Sequence, residues 1–156
     1  MTEVPMDTRY NKNQEALRQE LRDYFSSVMT PEKVSACIGK EGGPVFRGII
    51  EQFGSDGMLT LGWPEAYGGK NYTAIEQLIL FEEAWKTHAP FPLITLNSVA
   101  PSLMAFGTEE QKQEFLPQIS AGKCIFAIGY SEPGSGTDLA SLKTKAEFDG
   151  ENWVIN

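Results

Sequence analysis

Apolar side chains recur every three or four residues along most of the chain up to Gly122. Within residues 13–29 they are Leu17, Leu21, Tyr24, Phe25 and Val28. This spacing places the apolar side chains on one face of a helix. We therefore predict an amphipathic helix over residues 13–29, and we expect residues 1–9 to form a loose leader before it.

Two further helices are predicted in the next part of the chain. Thr30 followed by Pro31 is typical of a helix start, because threonine caps the first amides and proline fits the first turn. This second helix should end at Gly39. The third should end near Gly54 or Gly57, and its apolar face consists of Phe46, Ile49, Ile50 and Phe53.

Residues 58–70 are dense in glycine and proline, which indicates an irregular connection rather than a helix or strand. The stretch also contains Trp63 and Tyr67, two side chains large enough to cover apolar surface. We interpret it as a structural loop over the core, with both aromatic side chains packed rather than exposed.

A capping box of Thr73 and Glu76 opens a fourth helix, which should extend to about Thr87. Its apolar residues are Ile75, Leu78, Ile79, Phe81 and Trp85. Because they surround much of the helix circumference, we expect this helix to be central to its bundle.

The fifth and sixth helices follow a proline-rich break. The fifth is predicted over residues 94–105, and Pro101 within it should mark either its start or a kink. Thr108 and Gln111 form a second capping box, and the sixth helix that they open should end before Gly122. We assign four aromatic residues of helical spacing to the core: Phe81, Trp85, Phe106 and Phe115.

The spacing of the apolar residues changes after Lys123. Residues 125–130 are a short run of apolar, aromatic and β-branched side chains, which predicts a buried strand. Two alternating runs then flank the pair Asp149 and Gly150, a strong hairpin signal. The pattern thus predicts a mainly α fold with a C-terminal β portion, divided into a helical domain over residues 1–122 and the start of a β domain over 123–156.

Composition narrows the possible functions. The net charge of −8 argues against a nucleic-acid partner, although a local site can still bind an anion. Cys37 and Cys124 lack the spacing of a metal site, so we expect two reduced, buried thiols. No basic and apolar leader and no run of membrane-spanning length is seen, which favours a cytoplasmic protein without a membrane partner.

The loop over residues 131–138 holds the candidate chemistry. It contains Pro133, Gly134 and Gly136, and glycine lets a backbone come close to a ligand. Hydroxyls from serine and threonine, together with free amides, can face an anion such as a diphosphate. On these residues alone, an ordinary glycine-rich loop is the favoured interpretation, because such a loop after a strand usually has no ligand.

Residues 124–156 as a whole resemble the flavin-binding signature of acyl-CoA dehydrogenases. The matching pieces are Ser-Glu-Pro-Gly-Ser-Gly-Thr-Asp at 131–138, Lys-Thr-Lys-Ala at 143–146, Gly150, and Val-Ile-Asn at 154–156. Three earlier pieces resemble the helical domain of that family: Gly-Trp-Pro-Glu-Ala-Tyr-Gly-Gly at 62–69, Phe-Gly-Thr-Glu-Glu-Gln-Lys at 106–112, and the run 115–122. Because the pieces occur in order over nearly the whole chain, together they are far more specific than any one alone.

The resemblance implies a helical bundle followed by the first strands of a β-barrel-like domain. In that family a second helical bundle follows and supplies the catalytic glutamate, so we expect this chain to be a fragment that is inactive alone. No residue of the chain is assigned a catalytic role. The resemblance also places the loop over residues 58–70 near the acyl-binding side.

The family oxidises an acyl-CoA thioester to the trans-2-enoyl-CoA, a step of fatty-acid β-oxidation and related lipid metabolism. A carboxylate removes the α-proton while a hydride leaves the β-carbon for the flavin of FAD. The resemblance therefore implies FAD as cofactor, an acyl-CoA substrate and an electron-transfer flavoprotein or similar acceptor. It also implies a homo- or hetero-oligomer.

The same resemblance assigns the site residues. Ile128, Tyr130 and Ser131 would line the flavin edge, whereas Gly136 and Thr137 would lie at the diphosphate. Thr137 would also touch the coenzyme A part of the substrate. Ser131 stands where the family commonly has threonine, and Thr137 where it commonly has serine, so a hydroxyl is kept at both positions.

Three other polar residues are given structural roles. Glu132 is expected to fix the loop rather than to perform chemistry, and Asp138 to brace the turn through its side chain. His88 lies at a predicted helix end, where its ring suits the terminal carbonyls, and we do not expect it to be catalytic.

Other functions remain open. Residues 92–96 and 127–133 resemble an actinobacterial-type subgroup, in which this chain would be the flavin-holding subunit of a heteromeric enzyme acting on a steroid side-chain acyl-CoA. A non-catalytic interaction module that pairs with a full-length subunit, or a plain helical structural domain, would have no need for the glycines and hydroxyls of the loop.

Overall fold

The computed structural model describes residues 9–156, so the predicted leader lies outside the described residues except for Arg9. The chain divides into two compact units, one that ends at Phe126 and one over residues 127–156. The first unit is helical and the second contains a small sheet, as the sequence pattern predicts.

The six predicted helices are all present, with bounds close to those expected. They are α1 (Lys12–Val28), α2 (Pro31–Cys37), α3 (Pro44–Ser55), α4 (Ala74–Lys86), α5 (Ala100–Phe106) and α6 (Glu109–Ser120). Thr30 caps α2, and the capping boxes predicted at Thr73 and Thr108 are confirmed. Helix α1 begins with a further capping box, formed by Asn11 and Gln14.

Aromatic side chains form the centre of the helical unit. Phe25 from α1 and Phe53 from α3 are fully buried, with ring centroids 5.5 Å apart in an edge-to-face arrangement. Phe91, in the connection after α4, stacks on Phe53 at 5.3 Å. Such pairs add roughly 0.5–1.5 kcal/mol beyond the area that they bury, and this cluster joins three parts of the chain.

The loop over residues 58–70 packs on this core, as expected. Trp63 is buried and Tyr67 lies against the buried cluster. The amide of Tyr72 donates to the carbonyl of Leu61 and that of Asn71 to the carbonyl of Trp63, which folds the loop back onto itself. The loop therefore satisfies its own backbone while covering apolar surface.

The predicted apolar face of α4 is correct only in part, since Ile79 is buried and Phe81 packs against the core, but other predicted residues do not. Trp85 is 63% exposed and Leu78 52% exposed, and Phe106 at the end of α5 is 89% exposed rather than part of the core. The buried residues of α4 are Ile79, Leu80, Glu83 and Ala84. The buried face includes a glutamate that is neutralised by neighbouring cations, so apolar residues alone do not identify the whole buried face.

Pro101 lies in the first turn of α5, which agrees with one of the two predictions, that it marks the start of this helix. A π-helical turn over Thr95–Val99 precedes α5, and the amide of Ala100 donates to the carbonyl of Thr95, five residues back. Proline has no amide and crowds the carbonyl four residues before it, so a widened turn at this point keeps the helix continuous.

The second unit contains one antiparallel hairpin. Strands β1 (Ala146–Phe148) and β2 (Trp153–Ile155) pair with Ala146 opposite Ile155 and Phe148 opposite Trp153. The sheet is where the alternating pattern predicts it. All six strand residues are exposed.

The buried strand predicted over residues 125–130 is not formed. Ile125 is 44% exposed, Ile128 40% and Tyr130 69%, and none of these residues belongs to a strand. Strand backbone needs a neighbouring strand for its amides and carbonyls, and within residues 9–156 none lies beside this run. Only Phe126 of the run, together with the preceding Cys124, packs against the core.

Both cysteines of the chain are free thiols. Cys37 is buried as expected, but Cys124 is only partly buried. Among the described helices, none combines the length and apolar character needed to cross a bilayer.

Candidate functional site

The chain that leads into the candidate site is held by the end of α6. Gly122 takes the left-handed conformation with a φ of 71°, and the amides of Lys123 and Cys124 both donate to the carbonyl of Gln118. This is the usual way in which a helix ends on glycine. It turns the chain out of α6 into an extended course.

Phe126 is the last residue of the helical unit and is fixed at two points. Its ring meets that of Phe115 in α6 at 5.6 Å between centroids, in an edge-to-face arrangement. Its backbone is bound by the side chain of Thr95, whose Oγ1 lies 2.8 Å from the amide nitrogen and 3.3 Å from the carbonyl oxygen. The residue that precedes the candidate site is thus well anchored within the helical unit.

The three residues assigned to the flavin edge lie within four positions of the sequence, and all are exposed. Ile128, Tyr130 and Ser131 lie in irregular chain at the start of the second unit. Gly136 and Thr137 are exposed in the loop that follows. Among the described residues, the hydroxyls of Ser131 and Thr137 have no hydrogen-bond partner, so both are free to bind a ligand.

A tight turn separates the two groups of candidate residues. The amide of Glu132 donates to the carbonyl of Ser135 at 3.2 Å, and the amide of Ser135 donates back to Glu132 at 3.0 Å. Pro133 and Gly134 occupy the corners, a favourable position for both residue types. The loop therefore has a defined shape of its own.

Ser135 is a structural residue of this loop. It is 4% exposed, and its hydroxyl lies 2.8 Å from that of Ser141 and donates to the Ser141 carbonyl at 3.1 Å. The Ser141 hydroxyl in turn donates to the carbonyl of Asp138. Asp138 thus braces the turn through its backbone, whereas the sequence suggested its side chain.

The carboxylate of Glu132 fixes the loop, as its sequence context predicts. It accepts the amide of Lys143 at 3.0 Å, the amide of Thr144 at 2.7 Å, and the hydroxyl of Thr144. The Thr144 hydroxyl, followed by the two amides, lowers the pKa of Glu132 below its ordinary value. A carboxylate engaged in this way is a poor proton acceptor and holds residues 132 and 144 together.

Three glycines of the segment are not required by the fold of the second unit. A Cβ built at Gly129, Gly134 or Gly136 would meet nothing within 4 Å, and none of the three has a positive φ. Glycine here leaves backbone open to an outside molecule, and free hydroxyls stand beside it. This donor set fits the diphosphate and ring edge of a flavin cofactor.

A second cluster of ionisable side chains joins α1 to α4. Glu83 is 1% exposed and accepts from Arg18 and Arg22 at 3.0 Å and from Lys86 at 2.7 Å. Burial alone would raise the pKa of Glu83, but the hydrogen bonds from these cations lower it to about 2. Every oxygen of the carboxylate is used within the protein, so we interpret the cluster as a structural brace and not as a reactive site.

Sequence reasoning missed Thr95 and Glu83. Each is a polar residue inside a helical stretch of mostly apolar neighbours, and its polar atoms bind groups far away in sequence. The available signals were the prolines on either side of Thr95 and the lysine three residues after Glu83. Neither signal indicates which distant residue is the partner.

Comparison with known proteins identifies the family of this chain. The family model described as "Acyl-CoA dehydrogenase, N-terminal domain" matches residues 11–123. Acyl-CoA dehydrogenase FadE26 of Mycobacterium tuberculosis is 52% identical over 155 residues, which cover 97% of this chain and 39% of that protein. This chain therefore belongs to the acyl-CoA dehydrogenase family.

Two solved structures are similar over almost the whole chain. The crystal structure of the ChsE4-ChsE5 complex from Mycobacterium tuberculosis matches with a TM-score of 0.87 and 52% identity, covering 97% of this chain and 38% of that one. The structure described as "Tcur3481-Tcur3483 steroid ACAD" matches with a TM-score of 0.87 and 47% identity, covering 96% of this chain and 39% of that one. The chain thus spans about two fifths of the length of these relatives.

Proposed function

We propose that this chain is the N-terminal, flavin-contacting part of an FAD-dependent acyl-CoA dehydrogenase that forms a trans-2-enoyl-CoA. One observation carries the proposal. The residues assigned to the flavin are exposed, and the glycines at 129, 134 and 136 are required by nothing within their own unit. The hydroxyls of Ser131 and Thr137 have no partner among the described residues. A segment of this kind is suited to lie against a ligand.

The residues of the segment have separate roles in the proposed site. Ile128, Tyr130 and Ser131 would line the edge of the flavin ring, and Gly136 and Thr137 would hold the diphosphate. Thr137 would also reach the coenzyme A part of the substrate. When bound, FAD would accept the hydride that leaves the acyl β-carbon.

No residue of this chain is proposed as the base that removes the α-proton. Glu132 is the carboxylate of the segment that lies closest in sequence to the flavin-edge residues, but its oxygens accept two amides and a hydroxyl. The chain's contribution is to bind and orient the cofactor.

The division after residue 122 and a cytoplasmic location remain predictions of the sequence.

A second, narrower proposal concerns the substrate and the assembly. The similarity to a steroid acyl-CoA dehydrogenase and to the ChsE4-ChsE5 complex favours a flavin-holding subunit that acts in a heteromeric enzyme on a steroid side-chain acyl-CoA. Electrons would then pass to an electron-transfer flavoprotein or a similar acceptor. The interaction-module alternative differs in one respect, since it predicts that no flavin is retained.

The test is an anaerobic titration of the purified polypeptide that contains this sequence. A short-chain, a long-chain and a steroid side-chain acyl-CoA are added separately, and the visible flavin absorbance is followed. We expect bleaching, and bleaching by the steroid thioester alone would support the narrower proposal. A protein that holds flavin but is bleached by none of the three would refute dehydrogenation, and one that never holds flavin would favour the interaction module.

A further inference from the structure

The side chain of Thr95 makes a pair of contacts that the proposed roles do not explain. Thr95 is fully buried in the π-helical turn, and its hydroxyl accepts the amide of Phe126 at 2.8 Å. The same hydroxyl donates to the Phe126 carbonyl at 3.3 Å. One side chain therefore satisfies both backbone groups of a residue 31 positions away.

This arrangement is unusual for a threonine in a helix. A helical threonine commonly donates its hydroxyl to a carbonyl one turn earlier in its own helix. Here the hydroxyl instead takes the place that a neighbouring strand would have beside Phe126. The turn that presents it is widened, with Ala100 bonded five residues back to Thr95 and Pro101 next in the chain.

The contact fixes the point where the flavin-contacting segment begins. Phe126 is the last residue of the helical unit, and Ile128 follows it by two residues. The edge-to-face contact with Phe115 holds the Phe126 ring, but it does not fix the backbone dihedral angles that set the course of the following residues. The backbone is fixed by the Thr95 hydroxyl.

We propose that Thr95 is a positioning residue for flavin binding, because it holds the backbone of Phe126 and so pre-orders the segment that starts at residue 127. This inference rests on the proposed function. Without the hydroxyl, a partly buried amide and a partly buried carbonyl lose their partner, and the segment is spread over more backbone conformations. Binding of the cofactor then has to order that segment as well, which weakens the affinity.

The test uses Thr95→Val, which keeps the branched shape and removes the hydroxyl, with Thr95→Ser as the conservative variant. In the flavin-loaded protein we expect Thr95→Val to raise the dissociation constant of FAD about tenfold and to alter the visible band of the flavin. Thr95→Ser should restore both. Thr60→Val is the matched control, since Thr60 is also buried and donates its hydroxyl to a backbone carbonyl, that of Gly68.

An unchanged FAD affinity and spectrum in a folded Thr95→Val protein would overturn the inference. So would an equal loss in Thr60→Val, because the effect would then follow from any lost buried hydroxyl. If Thr95→Val does not fold, amide hydrogen exchange in the wild-type protein tests whether Thr95 holds the backbone of Phe126. The Phe126 amide should exchange at least tenfold more slowly than that of Ala127, and equal rates would overturn the inference.

The two proposals fail in different ways. A wild-type protein that never retains flavin contradicts the proposed function. The exchange rate of the Phe126 amide does not depend on flavin, so it still reports whether Thr95 holds this backbone. A wild-type protein that is bleached by an acyl-CoA while Thr95→Val behaves identically would retain the proposed function and remove the role of Thr95.

Discussion

At the scale of single residues, glycine serves two distinct purposes in this chain. Gly122 is required by the fold: its φ is 71°, and a Cβ there would collide with the carbonyl of Ile50 in α3. Gly54 is required in the same way, since a Cβ would lie 2.6 Å from the carbonyl oxygen of Ala121. Through these two glycines the ends of α3 and α6 approach each other more closely than other residues allow.

Gly122→Ala is expected to lower the free energy of unfolding by about 3 kcal/mol or more, because conformational strain and a backbone collision add together. Gly39→Ala is the matched control. Gly39 has a similar φ of 67°, but a Cβ there meets nothing within 4 Å, so strain alone should cost about 1 kcal/mol. Urea unfolding measures both, and equal losses would show that the close approach of α3 and α6 contributes nothing.

Gly136 would serve the other purpose in the proposed site, since a Cβ there meets nothing within 4 Å and its backbone is open to a ligand. Gly136→Val is expected to weaken FAD binding at least about tenfold while leaving stability nearly unchanged, because its side chain would occupy space meant for the cofactor. Flavin retention during dialysis and the measured dissociation constant report the change.

The control for Gly136→Val is Gly48→Val in α3. A Cβ at Gly48 also meets nothing within 4 Å and its φ is not positive, but the residue lies outside the proposed site. We expect it to bind FAD as the wild type does. If both variants bind FAD normally, the backbone at residue 136 does not approach the cofactor.

At the scale of elements, the packing of α1 on α4 depends on a buried charge. Glu83 lies on the buried face of α4, and Arg18 and Arg22 reach it from successive turns of α1. A buried carboxylate is tolerated only when its charge is compensated, and here three partly exposed cations do so. The cations keep contact with water, so the cluster joins two helices without isolating charge in the core.

The stabilising effect of Glu83 should depend on pH in a defined direction. Its pKa is about 2 in the folded protein against an ordinary value of 4.5, so the contribution is complete above pH 4.5 and is lost as the pH falls towards 2. The shift corresponds to roughly 3 kcal/mol. Thermal or urea unfolding between pH 6 and pH 2 measures it.

Glu83→Gln should lower the free energy of unfolding by roughly 2–3 kcal/mol at neutral pH, because the amide does not compensate the charge of the cations. It should also weaken the loss of stability at acid pH, because the amide does not titrate. Glu82→Gln is the matched control on the same helix, because Glu82 accepts a hydrogen bond from Tyr10 at 3.3 Å and is not bound by Arg18, Arg22 or Lys86. An acid limb in Glu83→Gln as steep as that of the wild type would assign the pH dependence to other carboxylates.

At the scale of the whole molecule, the two units differ in how they are stabilised. The helical unit has a core of fully buried side chains, among them Phe25, Phe53 and Ile79. The unit over residues 127–156 has a single hairpin, in which Phe148 is 56% and Trp153 67% exposed. A two-stranded hairpin without a buried face is at best marginally stable in water.

Amide hydrogen exchange on the chain should separate the units. We expect the amides of Phe25 and Phe53 to be protected by several orders of magnitude, and those of Lys145 and Asn156, which bond across the hairpin, to exchange within about tenfold of an unstructured peptide. The core amides serve as the internal control. Equal protection in both units would contradict the expectation that the hairpin by itself is only marginally stable.

The sequence by itself determined the helices, their caps and the hairpin. These features depend on neighbours three or four residues apart, or on a two-residue turn. The capping box of Thr73 and Glu76 and the turn at Asp149 and Gly150 can therefore be predicted without a structure. The sequence also indicated the family, which the match of the N-terminal domain model to residues 11–123 confirms. Which residues contact FAD stays a prediction, although the exposure of Ile128 and Gly136 agrees with it.

Only the tertiary structure decided which side of a helix is buried and what a polar residue binds. Trp85 is exposed and Glu83 buried because Arg18 and Arg22, more than 60 positions earlier, compensate the charge of the glutamate. Within residues 9–156 the run 125–130 lies outside any strand, because strand formation needs a partner strand, which a local pattern does not supply. Thr95 binds Phe126 across 31 residues, and such long-range contacts are set by how elements pack, which local sequence does not determine.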